Sequence, residues 1–186
     1  ERKVHLPLIG EFQALNALCA AGIAMSLGDD VGKVLDGLQV LKGVHGRLEL
    51  VGQTATKSPV FVDYAHTPDG LNVLLRAARP HVRGKLIVVF GCGGDRDRGK
   101  RPQMAAIAEA NADAVIVTDD NPRTENGDAI VADILAGFAH PGAIVIERDR
   151  AAAIAQAIGT AGANDIVLIA GKGHEPYQEI DGVQHP

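Results

Sequence analysis

Short apolar runs, mostly β-branched, alternate with Ala-rich helical stretches over most of this chain, and this alternation limits its fold more than any other feature. The run from Leu86 to Phe90 is apolar at every position, as expected for a strand of a parallel sheet that is covered on both faces. The pattern predicts an α/β domain, Rossmann-like and three-layered, with a mostly parallel sheet. The predicted strands are 48–52, 59–63, 85–90, 114–118, 143–147 and 165–170, and the predicted helices are 68–79, 102–111, 127–138 and 150–160.

The first part of the chain has a different pattern. Residues 12–27 carry apolar side chains on all sides, which predicts a buried helix that ends at Gly28. Asp30 is expected to cap a second helix that runs to about Leu38. Residues 41–47 contain two glycines and no periodicity, so we expect a domain boundary there, with 1–44 and 45–186 as separate parts.

Three positions are expected to begin helices of the second part. Pro68 and Pro102 are each predicted at a first helical position, where the missing N–H of proline costs nothing. Asp149 is expected to cap the last helix of the alternating pattern.

Composition excludes several classes of function. The net charge of −5 and the 3% of aromatic residues disfavour nucleic acid as a partner. Cys19 and Cys92 lack the spacing of a zinc site, so no metal site is predicted and a reducing cytoplasm fits. No signal peptide or apolar stretch of membrane-spanning length is present, so no membrane partner is expected.

Unusual polar clusters directly follow four of the predicted strands. Open α/β sheets bind ligands beyond the carboxyl ends of their strands, so these clusters predict one shared site. The clusters are 63–66, 91–96, 119–123 and 171–175.

The glycine-rich cluster at 91–96 fits known nucleotide motifs poorly. Arg96 stands where a dinucleotide fingerprint needs its third glycine. Residues 94–100 match the spacing of a phosphate loop, but Arg101 replaces the Ser/Thr that holds Mg²⁺, and two carboxylates lie inside the loop. A solvated, charged turn remains an alternative for this segment, and His174-Glu175 lacks the second histidine of a zinc helix.

The residue types at the predicted site suit a small zwitterion. Arg123 can hold a carboxylate through two parallel hydrogen bonds, and Arg96 adds a second cation. Asp120, Asn121 and Glu175 can accept hydrogen bonds from an ammonium group. A simple turn at 120–123 remains an alternative.

Other candidate residues have equally plausible structural roles. Asp63 and His66 fit a turn that caps a helix. Asn16 fits a satisfied amide in a buried helix. The residue types of His45 and Arg47 leave both a structural and a functional role open.

Taken in order along the chain, these segments resemble the Mur ligases. The segments that carry the resemblance are Gly10–Ala17, Gly43–Glu49, Asp63–Asp69, the glycine-rich loop through Lys100-Arg101-Pro102, Asp120–Arg123 and Gly171–Glu175. The Asp-Asn-Pro-Arg sequence and the Gly-Lys-Gly-His-Glu sequence are similar to those of the family members that add meso-diaminopimelate.

The resemblance implies an ATP- and Mg²⁺-dependent ligase that adds meso-diaminopimelate to a UDP-N-acetylmuramoyl dipeptide. By motif position it assigns the amino acid to Arg96, Asp120, Asn121, Pro122, Arg123, Gly171 and Glu175. It likewise assigns ATP to Asn16, Arg47, Asp63 and His66.

The resemblance also implies that further domains are needed. Residues 1–44 resemble the tail of a central ATP-binding domain whose Gly-Thr-x-Gly-Lys-Thr loop is absent here, and 45–186 resemble the third domain with its end cut. We therefore expect no turnover from this chain without the N-terminal and central domains. The alternatives are a lysine-adding or folylpolyglutamate-type relative and a stand-alone amino-acid-binding module.

Overall fold

The structure is a computed structural model that describes residues 2–186. Contacts divide the chain into two compact units, one ending at Val44 and the other beginning at His45. The assignment of the first unit to the tail of a central ATP-binding domain stays a prediction.

The first unit contains two helices, α1 (Glu11–Ser26) and α2 (Val31–Leu38). Gly28 ends α1 with a φ of +100°, and the N–H groups of Gly28 and Asp29 reach back to carbonyls of the last helical turn, as in a Schellman motif. The side chain of Asp30 caps α2 by accepting a hydrogen bond from the Lys33 N–H at 2.9 Å. Both predicted helix-end signals are therefore confirmed.

The prediction that the first helix is buried is wrong. Within its unit α1 packs only against α2 and the N-terminal segment, so one stripe that includes Ala17 and Ala21 is covered. Leu15, Leu18 and Ile23 are exposed because no other element of this unit reaches them.

The second unit is the predicted α/β domain. Its main sheet has the order β1-β2-β6-β3-β4-β5, in which β1 is antiparallel and the other strands are parallel. The last strand of this sheet in the chain, β6, therefore lies between β2 and β3. The strands are β1 Glu49–Gln53, β2 Pro59–Asp63, β3 Leu86–Phe90, β4 Ala114–Val117, β5 Val145–Ile146 and β6 Ile166–Ala170, and a separate hairpin is formed by β7 Gln178–Ile180 and β8 Val183–His185.

Helices cover both faces of this sheet. Helix α6 buries Ala153 and Ala157 against strand side chains such as Val89 and Val167, and this layer forms one continuous core. Strand side chains of the opposite parity, such as Val88, are also fully buried, since alternate residues point to opposite faces. The helices of this unit are α3 Pro68–Ala78, α4 Lys100–Asn111, α5 Gly127–Leu135 and α6 Arg150–Thr160.

Several predicted element ends are wrong by a few residues. Helix α4 begins at Lys100, so Pro102 is its third residue, because an Arg101 N–H to Arg98 C=O turn starts the helix earlier. Helix α5 ends at Leu135 because the N–H groups of Gly137 and Phe138 bond carbonyls three residues back, as in a 3₁₀ turn. Strand β5 shortens to two residues because a 3₁₀ turn occupies 141–143.

Pro68 at the first position of α3 and the Asp149 cap of α6 are confirmed. Within residues 2–186, no helix is long and apolar enough to cross a membrane.

Candidate functional site

The structure places the four polar clusters at one edge of the main sheet. Strands β2, β6, β3 and β4 are neighbours and run in parallel, so the segments that follow them emerge side by side. This is the edge where open α/β sheets bind ligands.

The glycine-rich loop after β3 packs directly on the loop after β4. The Gly94 N–H donates to the Asn121 carbonyl at 2.9 Å, and a Cβ added at Gly94 would lie 1.9 Å from the Pro122 carbonyl oxygen. A Cβ at Gly91 would likewise lie 2.2 Å from the Thr118 carbonyl oxygen. The glycines are therefore required for the close approach of two backbones. This packing accounts for their presence in the loop without a role in nucleotide binding.

Arg123 is held by this contact. Its backbone is in the left-handed region with a φ of +53°, and its Nη1 donates to the Gly94 carbonyl at 2.9 Å. Its Nε lies 3.3 Å from Glu179 Oε2. Gly93 separates Arg123 from Arg96, since a Cβ at Gly93 would lie 2.8 Å from Arg123 Nη1 and 3.9 Å from Arg96 Cγ. The two predicted carboxylate-binding cations therefore flank one glycine.

Asn121 and Glu175 come together with a lysine that the sequence analysis did not select. Asn121 is buried, and its Nδ2 donates to Glu175 Oε2 at 3.2 Å. Lys172 Nζ donates to Asn121 Oδ1 at 2.7 Å and lies 3.4 Å from Glu175 Oε2. These contacts join the loop after β4 to the loop after β6.

Asp120 faces the start of the loop after β6. A Cβ added at Gly171, whose φ is +110°, would lie 2.8 Å from Asp120 Oδ2. The charges of Asp120 and Glu175 also act on Arg150, a half-buried cation that donates to the Ala170 carbonyl at 3.0 Å. Removal of Arg150 from water lowers the pKa of its guanidinium, an effect that the two acids oppose. This arrangement mixes both signs of charge, as a zwitterion requires.

A cavity of about 730 Å³ opens beside this cluster. Arg150, Lys172 and Glu175 line its polar side, while Val62 and Ile169 contribute apolar walls. Its size falls within the range of small-molecule sites.

The adjacent acid, Asp119, has a different role. Arg148 grips its carboxylate with Nε at 2.5 Å and Nη2 at 2.8 Å. This bidentate pair engages both oxygens of Asp119, whereas Asp120 Oδ2 faces Gly171.

Two residues predicted to bind ATP meet around Tyr64. The Arg47 guanidinium lies over the Tyr64 ring at 4.6 Å, and the His66 ring packs on it edge-on, also at 4.6 Å. The backbone of Gly46 approaches Gly173 so closely that a Cβ at Gly46 would lie 2.7 Å from the Gly173 carbonyl carbon. Arg47 and His66 therefore lie next to the Gly-Lys-Gly-His-Glu loop.

Asp63 is a buried carboxylate whose two oxygens both bind backbone. They accept hydrogen bonds from the N–H groups of Leu48 and Ala65, each at 2.7 Å. Burial raises the pKa of Asp63, although the two N–H donors pull it back. These contacts fit the turn-forming alternative for Asp63, and its assignment to ATP stays a prediction.

Asn16 belongs to the first unit, on α1. It is exposed, so its interpretation as a satisfied core amide is wrong, for the same reason that the buried-helix prediction is wrong. Its assignment to ATP stays a prediction.

Sequence reasoning missed Lys172, Arg150 and Glu179. Lys172 lies inside the Gly171–Glu175 motif, and its position between two glycines could have indicated it as a candidate. Arg150 directly follows a predicted helix cap. The hairpin that carries Glu179 has an Asp181-Gly182 turn with φ of +50° and +76°, a dipeptide that is a strong hairpin signal.

Comparison with known proteins decides the family. A model described as the Mur ligase glutamate ligase domain matches residues 46–173, more than half of the chain. The chain belongs to the Mur ligase family.

Curated Mur ligases of one kind are similar in sequence to nearly the whole of this chain. The UDP-N-acetylmuramoyl-L-alanyl-D-glutamate–2,6-diaminopimelate ligase of Xanthomonas oryzae pv. oryzae is 59% identical over 182 residues, which are 98% of this chain and 37% of that protein. The Pseudomonas aeruginosa ligase of the same name is 54% identical over 186 residues, 100% of this chain and 38% of that protein. The chain thus spans little more than a third of these relatives.

Solved structures agree in fold. One of a ligase with the same name superimposes with a TM-score of 0.75 at 45% identity, over 98% of this chain and 37% of that one. Mycobacterium tuberculosis folylpolyglutamate synthase complexed with ADP gives a TM-score of 0.69 at 27% identity, over 90% of this chain and 39% of that one.

Proposed function

We propose that this chain is the amino-acid-binding part of an ATP-dependent ligase that adds meso-diaminopimelate to UDP-N-acetylmuramoyl-L-alanyl-D-glutamate. The observation that carries the proposal is the contact between the loops after β4 and β6, where Asn121, two residues before Arg123, donates to Glu175. The names of relatives at 54–59% identity support the choice of substrate.

The reaction proceeds in two steps. The γ-phosphoryl group of ATP passes to the γ-carboxylate of the D-Glu residue, which leaves ADP and an acyl phosphate. The amine of diaminopimelate then attacks the acyl carbon, so a C–N bond forms, the C–O bond to phosphate breaks, and the amine loses a proton. The task of this chain is to hold the amine-bearing substrate in position, which removes entropy from the barrier.

The charges at the site suit this substrate. Diaminopimelate carries an ammonium and a carboxylate at each end, so it differs from lysine by one carboxylate. Arg123 keeps N–H donors beyond those directed at Gly94 and Glu179, because a guanidinium has five of them. In the proposal Arg123 and Arg96 bind this carboxylate, and Asp120 and Glu175 bind the ammonium. Asn121, whose amide oxygen accepts from Lys172 and from the Glu179 N–H, holds Glu175 in place, and Pro122 and Gly171 shape the loops.

ATP is expected to contact the group around Tyr64. Arg47 is an exposed cation that lies over an aromatic ring, and guanidinium groups are good phosphate ligands. Asn16, Asp63 and His66 complete the set assigned to ATP. Among residues 2–186 no three His, Cys, Asp or Glu side chains converge as metal ligands. In the proposal Mg²⁺ would neutralise the negative charge of the ATP phosphates.

Phosphate release by the full-length gene product tests the function. The enzyme is given ATP, Mg²⁺ and the nucleotide-sugar dipeptide with either meso-diaminopimelate or L-lysine. Release with diaminopimelate alone is expected. Release with lysine alone would favour the lysine-adding alternative, and release with neither from a folded enzyme would favour the amino-acid-binding module.

Arg123→Ala tests the role of the site. Loss of one partner of a buried charged contact costs about 2–5 kcal/mol, so kcat/KM for diaminopimelate should fall about 30-fold or more while KM for ATP changes little. Arg83→Ala is the control, since Arg83 is exposed and precedes β3 at the other edge of the sheet. Equal losses for both amino acid and ATP would contradict the assignment.

A further inference from the structure

Lys172 is a buried cation in direct contact with two of the residues assigned to the amino acid. It follows β6, and only 9% of the residue is exposed. Its Nζ lies 2.7 Å from Asn121 Oδ1 and 3.4 Å from Glu175 Oε2. A lysine is rarely buried unless it is paired, so these contacts require an explanation.

The ammonium of Lys172 determines which way the Asn121 amide points. Lysine can only donate, so it must face the amide oxygen. The Glu179 N–H donates to the same oxygen at 2.9 Å. With Oδ1 held from two directions, Nδ2 is turned toward Glu175, to which it donates. A rotated amide would place its NH₂ group against two donors.

The donors that contact Glu175 leave one of its two carboxylate oxygens available to a ligand. Both donors, Asn121 Nδ2 and Lys172 Nζ, approach Oε2. Within residues 2–186 the other oxygen, Oε1, has no hydrogen-bond partner. Lys172 also offsets the negative charge of the partly buried Glu175, with which it forms an ion pair.

We infer that Lys172 is a positioning residue for amino-acid recognition. It turns Asn121 Nδ2 toward Glu175 and holds the Glu175 carboxylate, so that Glu175 Oε1 can accept from the ammonium group of the incoming diamino acid. The inference rests on the proposed function and adds to it a residue that does not itself touch the substrate.

The first test compares substitutions at Lys172 in the full-length gene product. Lys172→Met keeps the apolar stem and removes the ammonium, and it should raise KM for meso-diaminopimelate about tenfold or more, as loss of a hydrogen bond to a charged group implies. KM for ATP and for the nucleotide-sugar dipeptide should stay unchanged. Lys172→Arg keeps the charge and should restore part of the affinity, while the exposed Lys85, substituted by Met, is the control.

A double-mutant cycle separates positioning from a general structural role. If Lys172 acts through Glu175, then Lys172→Met should add little to the rise in KM that Glu175→Gln already causes. If the double variant raises KM by the product of the two single-variant factors, the inference is overturned. An equal rise in KM for ATP and diaminopimelate would also overturn it. Circular dichroism checks folding, and Lys172→Gln replaces the Met variant if that variant does not fold.

The outcome for the wild-type enzyme separates the two claims. If it releases no phosphate with diaminopimelate, the proposed function fails and this inference fails with it. If it does release phosphate and Lys172→Met leaves KM for diaminopimelate unchanged, only the inference fails.

Discussion

At the scale of single residues, Arg101 shows how a motif can matter without touching a ligand. Its side chain is fully buried, and it donates to both oxygens of Glu125 at 2.7 Å and to Asp133 Oδ2 at 2.8 Å. It also donates to the Gly93 carbonyl at 3.2 Å. Arg101 thus ties the glycine-rich loop to the segment after Arg123, and it replaces the phosphate-loop hydroxyl with a structural ion pair.

We expect Arg101→Met to destabilise the protein by about 3 kcal/mol, because it leaves two carboxylates without a buried partner. Urea denaturation measures this free energy of unfolding. The matched control is Arg98→Met, which removes a contact with the same Asp133 from an arginine that is 63% exposed, so it should cost below about 1 kcal/mol. Equal losses for the two variants would contradict the prediction.

The ion pair between Arg101 and Glu125 should also change how the free energy of unfolding depends on pH. The hydrogen bonds from Arg101 lower the pKa of Glu125 from its usual 4.5 to about 2. A carboxyl with a lowered pKa in the folded state stabilises the protein above its unfolded pKa, and that stability is lost as pH falls toward the folded value. The difference in stability between wild type and Arg101→Met should therefore narrow between pH 4.5 and 2, and a constant difference would contradict it.

At the scale of elements, helix ends with a local capping signal were the most predictable features. Caps depend on residues within one turn, so Asp30 and Asp149 act locally. The extent of strands and the burial of helices depend on what packs against them. For this reason α1 is more exposed than predicted.

Asp149→Ala should destabilise the protein by about 1 kcal/mol, because the Ala152 N–H loses its acceptor at the start of α6. This helix covers one face of the sheet, so the loss should appear in global thermal unfolding. Asp149→Asn keeps an acceptor and should retain most of the stability. A similar loss in both variants would show that the charge of Asp149, and not its cap, matters.

At the scale of the whole molecule, the two units differ in the size of their cores. The first buries a small cluster around Ala17, Ala21 and Leu38. The second has strands such as β3 and β6 that are buried at every position. Local stability follows buried apolar contact, so the two units should open at different free energies.

Native-state hydrogen exchange followed by mass spectrometry tests this difference. The amides of β3 and β6 should exchange slowest, and those of α1 and α2 should exchange fastest among the regular elements of the chain. Equal protection of α1 and β3 would show that residues 11–26 share the stability of the second unit.

The sequence alone determined the α/β class, most element positions, the helix caps and the convergence of four motifs at strand ends. These features follow from local periodicity and from the parallel geometry of the sheet. Tertiary structure decided which loops touch. The insertion of β6 between β2 and β3 brings Lys172 to Asn121, 51 residues away in the chain, and Gly46 to Gly173. No local pattern contains such contacts, because the charge, burial and amide orientation of each residue depend on strands that are distant in the chain.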